Sequence, residues 1–201
     1  RGADYFCPDQ VQSVKHSHQA MQTRLKISAV VALVCAAVAL AFGAESTPNT
    51  PAKPLELPGI HNAFRVTDNL YSGSQPESDA AFAALAKLGV KTIVSVDGSV
   101  PDAEAARKHG LRYVHLPYGY DGIPTNRIAE LAKLTTEGSG PFFVHCHHGL
   151  HRGPSAVAVM CEASEGWSPD KAVAWLGEAG TAKDYPGLYR AASGYQKPTA
   201  A

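Results

Sequence analysis

From residue 60 onward, short β-branched or aromatic runs alternate with longer stretches whose apolar residues recur three or four positions apart. Residues 64–71 (FRVTDNLY) have the make-up of a short edge hairpin, and 77–88 place Phe82 and Leu85 at helical spacing behind Ser74 or Ser78 as caps. Gly89 punctuates, and KTIVSV at 91–96 is short and branched enough for a buried strand. A helix over 102–109 stops at Gly110, and RYVHLP at 112–117 supplies another strand. Residues 118–124 (YGYDGIP) form a loop before a helix over 125–136, with Pro124 in its first turn and Ile128, Leu131 and Leu134 facing the core. After a turn at 138–140, PFFV is a strand running straight into HCHHGLHRG. Helices follow over 154–164, over 169–179 with Ser168 as cap, and over 186–195. Strands alternating with helices predict an α/β layer architecture.

The first 59 residues do not share this pattern. Met21, Arg24 and Lys26 precede an apolar run over 27–42, the order of a basic region and hydrophobic stretch in an export signal. Residues 21–44 are therefore expected to be a signal peptide or, if uncleaved, a membrane anchor, placing the remainder in the periplasm or outside the cell. Phe42 sits where a small residue is preferred before cleavage near Ala44, which keeps the anchor open. Residues 1–20 are expected to be an artefactual or disordered extension ahead of a start at Met21. The Pro-, Thr- and Ser-containing stretch 45–59 is expected to be a flexible linker, and 196–201 a disordered tail. That leaves 60–195 as the folded domain. Over the whole chain acidic and basic residues balance at 18 each, so nothing marks a nucleic-acid footprint and any anion site must be local. Only Cys146 and Cys161 of the four cysteines fall in the domain, so no disulfide framework is indicated.

The chemistry concentrates in VHCHHGLHRG, residues 144–153, between a strand and a helix. Five residues separate Cys146 from Arg152, with Gly149 midway. A loop of that length can curl so that the backbone N–H groups of His147, His148, Gly149, Leu150 and His151 point inward as an anion-binding nest at a helix N-terminus. The same field favours thiolate over thiol at Cys146, and Arg152 is suited to grip two phosphate oxygens.

At these residues the chain resembles the protein tyrosine phosphatase superfamily, whose signature is His-Cys, five residues, Arg, then usually Ser or Thr. Together with NLYSGSQP at 69–76, the likeness extends over about 60–195 and is nearest to compact bacterial dual-specificity-like members. It implies a mostly parallel central sheet of about four to five strands flanked by helices. It also implies a cysteine-dependent phosphomonoesterase with Cys146 as nucleophile forming a phosphocysteine, Arg152 as phosphate clamp, Asp121 of GYDGIP as general acid and His145 as loop-orienting residue. Asp97 and Asp102 follow an earlier strand and match no acid-loop pattern. No cofactor or metal is implied, and the partners would be a phosphorylated protein or small phosphoester. The family's hydroxyl after the Arg is replaced by Gly153, with Ser155 as a possible substitute. That departure keeps open a noncatalytic phosphate-binding protein. The four histidines of the loop with Cys146 keep open a metal site, although consecutive residues rarely turn three side chains to one ion. A rhodanese-like sulfurtransferase also holds a reactive cysteine in such a loop; the Asp121 loop and the spacing of Arg152 argue against it.

Overall fold

The structure, a computed structural model, describes residues 51–196. The readings for 1–20 and 21–44, and for the tail beyond Gln196, lie outside the described residues. Six strands form one sheet in the order β1-β2-β3-β6-β4-β5: β1 (Lys53–Leu57), β2 (Ile60–Arg65), β3 (Leu70–Ser74), β4 (Thr92–Ser95), β5 (Arg112–His115) and β6 (Phe142–Cys146). β1, β2 and β3 pair antiparallel, whereas β3, β6, β4 and β5 run parallel. The sheet therefore has one or two more strands than expected.

The extra strand corrects the linker reading. Lys53–Leu57, placed in the linker 45–59, pairs with β2 at the sheet edge. Its sequence KPLEL carries no run of apolar residues because only one side of an edge strand meets the core, through the partly buried Leu55 and Leu57.

Among the described residues six helices cover the sheet: α1 (Asp79–Lys87), α2 (Ala103–Lys108), α3 (Thr125–Glu137), α4 (Arg152–Ser164), α5 (Pro169–Glu178) and α6 (Pro186–Ser193). Ser78, Asp102 and Ser168 cap α1, α2 and α5 by accepting from backbone N–H groups of the first turn. Alternation along the strands divides the core. Leu70, Val94, Phe142 and Val144 pack with α3, α4, α5 and α6, while Tyr71, Ile93 and Phe143 pack with α1 and α2 on the other face. Helix α4 is buried from Arg152 to Ala163, and Trp175 of α5 reaches it through an Nε1–H bond to the Pro154 carbonyl of 3.0 Å. This burial fixes α4 directly behind the carboxyl ends of the parallel strands, where α/β folds place their ligands.

Candidate active site

Strand β6 ends at Cys146 and α4 begins at Arg152, so residues 147–151 bridge a buried strand and the buried start of a helix. What turns this short loop into a site is the direction of its carbonyls. The His145 carbonyl accepts from Val96 N–H (2.9 Å), that of His147 from Gln75 N–H (3.2 Å), and that of His151 from Ser155 N–H (3.2 Å). Side chains take others: Asn62 Nδ2 donates to the His148 carbonyl (2.9 Å), Thr181 Oγ1 to that of Leu150 (2.7 Å) and Tyr118 Oη to that of Arg152 (2.6 Å). With these carbonyls held outward, the amides of the loop face the other way. Those of His148, Gly149, Leu150 and His151 donate to no protein acceptor among the described residues. A carbonyl-out, amide-in loop is an anion nest, and the first turn of α4 adds its dipole.

Gly149 is required at the crown of the loop. Its φ is +76°, and a Cβ there would overlap the Gly73 backbone and lie 2.6 Å from Ser74 N. Gly153 has a related steric role, since a Cβ would stand 3.3 Å from Cys146 N, tighter than side chains usually tolerate. The residue that removes the expected hydroxyl thus also lets α4 press against the end of β6.

His145 is buried beneath the loop. Its Nδ1 lies 3.1 Å from the Cys146 carbonyl, which can only accept, so Nδ1 carries the proton and Nε2 accepts from Tyr113 Oη at 2.6 Å. Burial lowers its pKa to about 4, outweighing the backbone carbonyl and Asp97, so the ring is neutral. Tyr113 and Tyr118 are themselves raised, each chiefly by burial, and act as hydroxyl donors. Cys146 is 3% exposed at the base of the loop.

The carboxylate that touches Arg152 is Asp97, just past the end of β4. Its Oδ2 accepts from Arg152 Nη2 at 2.5 Å and from His147 N–H at 3.2 Å, while Oδ1 accepts from Ser99 N–H at 2.8 Å. Burial alone would raise this carboxyl, but the Ser99 bonds, the Arg152 charge and the His147 amide together hold it below the ordinary value. The motif pointed away from Asp97 because the pair spans 55 residues. The signal that finds it is its place at the carboxyl end of a parallel strand beside β6. Asp102 caps α2 instead.

Asp121 is exposed on the 118–124 loop, and its side chain makes no hydrogen bond among the described residues. The backbone of that loop rests on α6, where a Cβ on Gly187 would collide with the Asp121 carbonyl. The two neighbouring tyrosines divide their work. Tyr118 is buried and props α4, whereas Tyr120 lies over Arg152, with the guanidinium carbon 4.5 Å from its ring centroid and Arg152 Nη2 donating to its hydroxyl at 3.1 Å. Tyr185 and His151 complete an aromatic wall, with ring centroids 4.7 Å apart for Tyr120–Tyr185 and 4.8 Å for His151–Tyr185. His151 is lowered chiefly by burial, with His148 and Arg152 adding to it, and its Nδ1 accepts from Ala182 N–H. His147 and His148 are exposed on the rim.

Ser155 does not take the place of the missing hydroxyl. Its Oγ is buried and donates to the Leu188 carbonyl at 3.1 Å, tying α4 to α6. No group of three or more His, Cys, Asp or Glu among the described residues is arranged to hold a metal ion.

No protein-family model matches the chain. The curated dual specificity protein phosphatase TpbA of Pseudomonas aeruginosa strain UCBPP-PA14 is 26% identical over 154 residues, which is 75% of this chain and 69% of the relative. The crystal structure of P. aeruginosa TpbA superposes with a TM-score of 0.60 at 24% identity, covering 74% of this chain and 92% of that one. A cysteine-to-serine variant of the same protein in complex with pTyr gives 0.59 at 24%, covering 74% and 91%. The core catalytic domain of the PP-IP phosphatase SIW14 from S. cerevisiae gives 0.56 at 17%, covering 66% and 87%. The chain thus resembles the dual-specificity-like branch of the protein tyrosine phosphatase superfamily in sequence, and it has the fold of these proteins.

Proposed function

We propose that the chain is a metal-independent phosphomonoesterase of the protein tyrosine and dual-specificity type, acting through a phosphocysteine intermediate. The loop carries this reading: its carbonyls are held by donors from five separate segments, its amides from His148 to His151 donate to no protein acceptor among the described residues, and Arg152 Nε is buried without a protein partner. The similarity to a dual specificity phosphatase, one of whose variants is seen with pTyr, supports a phosphorylated protein or small phosphoester as ligand.

In the first step the Cys146 thiolate attacks phosphorus, the bond to the leaving oxygen breaks, and Asp121 gives that oxygen its proton. The loop amides and Arg152 hold the three other oxygens, supplying the positive field that a metal ion gives in other phosphatases. In the second step the Asp121 carboxylate takes a proton from water as the water oxygen attacks phosphorus, and the sulfur leaves as thiolate. Gly153 offers that sulfur no hydroxyl and Ser155 is engaged with Leu188, so release of the phosphoenzyme is the slow step. The basic and apolar order of residues 21–44 supports export, which fractionation of cells making the full chain tests.

Hydrolysis of an aryl phosphate by the full chain, under reducing conditions with chelator, tests the reading. Activity should vanish in Cys146→Ser and fall sharply in Asp121→Asn. Retained activity in Cys146→Ser overturns the mechanism. An inert wild type that still binds phosphate leaves the noncatalytic reading, which Gly153 favours.

A further inference from the structure

Helix α5 stops in a way that carries one residue to the phosphate loop. Gly180, at φ +82°, donates its N–H to the Gly177 carbonyl (3.1 Å), and Thr181 N–H reaches back to that of Leu176 (2.8 Å). These are the two bonds of a Schellman motif, with glycine in the left-handed position that it adopts without steric penalty. The residue after that glycine commonly turns an apolar side chain onto the last turn of its own helix. Here it is Thr181, which is buried, and its Oγ1 donates to the Leu150 carbonyl at 2.7 Å.

The N–H, carbonyl and hydroxyl of Thr181 are all bonded, since its carbonyl accepts from Tyr189 Oη of α6 at 2.7 Å. Its neighbours add to the contact: Ala182 N–H donates to His151 Nδ1 at 3.3 Å, and a Cβ on Gly180 would stand 3.3 Å from Leu150 Cδ2. Residues 180–182 thus form a bracket, tied to α5 and α6, against the peptide that joins Leu150 to His151. That peptide is trans and planar, so its carbonyl and its amide point opposite ways. The hydroxyl that fixes the Leu150 carbonyl thereby fixes His151 N–H, one of the loop amides that donate to no protein acceptor among the described residues. Without that hydroxyl the peptide is free to turn, and a turned peptide offers an anion a carbonyl oxygen instead of an N–H.

Resting on the phosphatase reading, we propose that Thr181 is a positioning residue of the site: its hydroxyl aims the His151 N–H at a phosphoryl oxygen and keeps it aimed while phosphorus becomes five-coordinate. The hydroxyl is spent on Leu150 and is not itself offered to the substrate. Its effect passes through the Leu150–His151 peptide, because an amide already aligned stabilises the developing charge without having to reorient.

The experiment compares the full-length wild type with Thr181→Val, Thr181→Ser and Tyr189→Phe. It measures kcat and KM on an aryl phosphate, inhibition by orthovanadate, and protection of Cys146 from iodoacetamide by inorganic phosphate. Valine keeps the outline of threonine without the hydroxyl, and serine keeps the hydroxyl. Tyr189→Phe removes a bond of the same 2.7 Å length from the same threonine but from its carbonyl, so it reports what loss of anchoring alone does. Deleting one pre-aligned donor from such a site costs about 100- to 1000-fold in kcat. Thr181→Val keeps the amide but lets it turn, so the expected loss is at least about tenfold in kcat and in vanadate affinity, with KM changed by less than about threefold. Protection by phosphate should weaken less than vanadate affinity, because only vanadate adopts the five-coordinate geometry. Thr181→Ser and Tyr189→Phe should stay within about threefold of wild type in kcat. Equal losses in Thr181→Val and Tyr189→Phe, which a merely structural role predicts, would overturn the proposal. An active wild type whose Thr181→Val variant keeps kcat and vanadate affinity refutes the role of Thr181 alone; a wild type neither active nor protected refutes the phosphatase reading and this one with it. In an inert wild type that phosphate does protect, catalysis is refuted, and the aiming of the amide stands or falls with weaker or unchanged protection in Thr181→Val.

Discussion

Acidification should weaken the fold through one residue, His145, by an amount that can be worked out in advance. Its ring is buried, donates from Nδ1 to the Cys146 carbonyl and accepts from Tyr113 at Nε2. Protonating Nε2 would put a charge into this site and reverse the Tyr113 bond, so burial holds the pKa to about 4. In the unfolded chain the ordinary value is about 6.5. Between these values the unfolded chain takes up a proton that the folded chain refuses, so stability is complete above about 6.5 and falls as the pH drops toward 4. Linkage gives a loss from His145 alone of about 2 kcal/mol between pH 7 and pH 5, reaching about 3 kcal/mol at pH 4. Asp97, held below its ordinary value, loses stability in the same direction at lower pH, so the test needs a reference. His145→Asn provides one, since its amide can donate to the Cys146 carbonyl and does not titrate. Urea unfolding followed by the fluorescence of Trp167 and Trp175 at pH 7, 6 and 5 yields both curves. The variant should be less stable throughout, yet flatter across this range by about 2 kcal/mol. Parallel curves would refute the account of His145 as a buried neutral imidazole.

Two further perturbations probe the loop and the far end of α4. Gly149→Ala places a side chain at φ +76° against Gly73 and Ser74, and should cost about 1–3 kcal/mol while abolishing protection of Cys146 by phosphate; unchanged protection would contradict the crowding. Glu162 is buried with Oε2 unpartnered, and burial pushes its carboxyl up to about 7. Its ionised form is the penalised one, so the penalty sets in above the ordinary glutamate range and is complete near 7. The stability advantage of Glu162→Gln should therefore widen between pH 5 and pH 7.5 in chemical denaturation, and a constant gap would refute the assignment.

Local signals were legible in the sequence wherever the physics is local. Ser78 and Ser168 announce their helices through a side chain that meets its own first turn, and the span from Cys146 to Arg152 encloses the loop within one stretch of chain. Helix α4 begins at Arg152 rather than near 154, because the curl of the loop passes directly into the helix. What was not legible depends on distant partners. Lys53–Leu57 looks like linker because an edge strand needs little apolar surface. Asp97 carries no motif, since its importance comes from strand order. Ser155 is two residues beyond Arg152 on a helix, and only the position of α6 decides that its hydroxyl turns to Leu188.

The donors that hold the loop carbonyls come from far along the chain: Asn62 is 86 residues before His148, Tyr118 is 34 before Arg152, and Thr181 lies 31 after Leu150. Such contacts form only after their ends have been brought together, at the entropic cost of closing long segments. During synthesis, a chain that has emerged through Arg152 but not yet Thr181 has Cys146 and its loop without the hydroxyl that holds the Leu150 carbonyl outward. The residues of the loop are therefore made before their shape, and the shape is complete only when nearly the whole domain has left the ribosome.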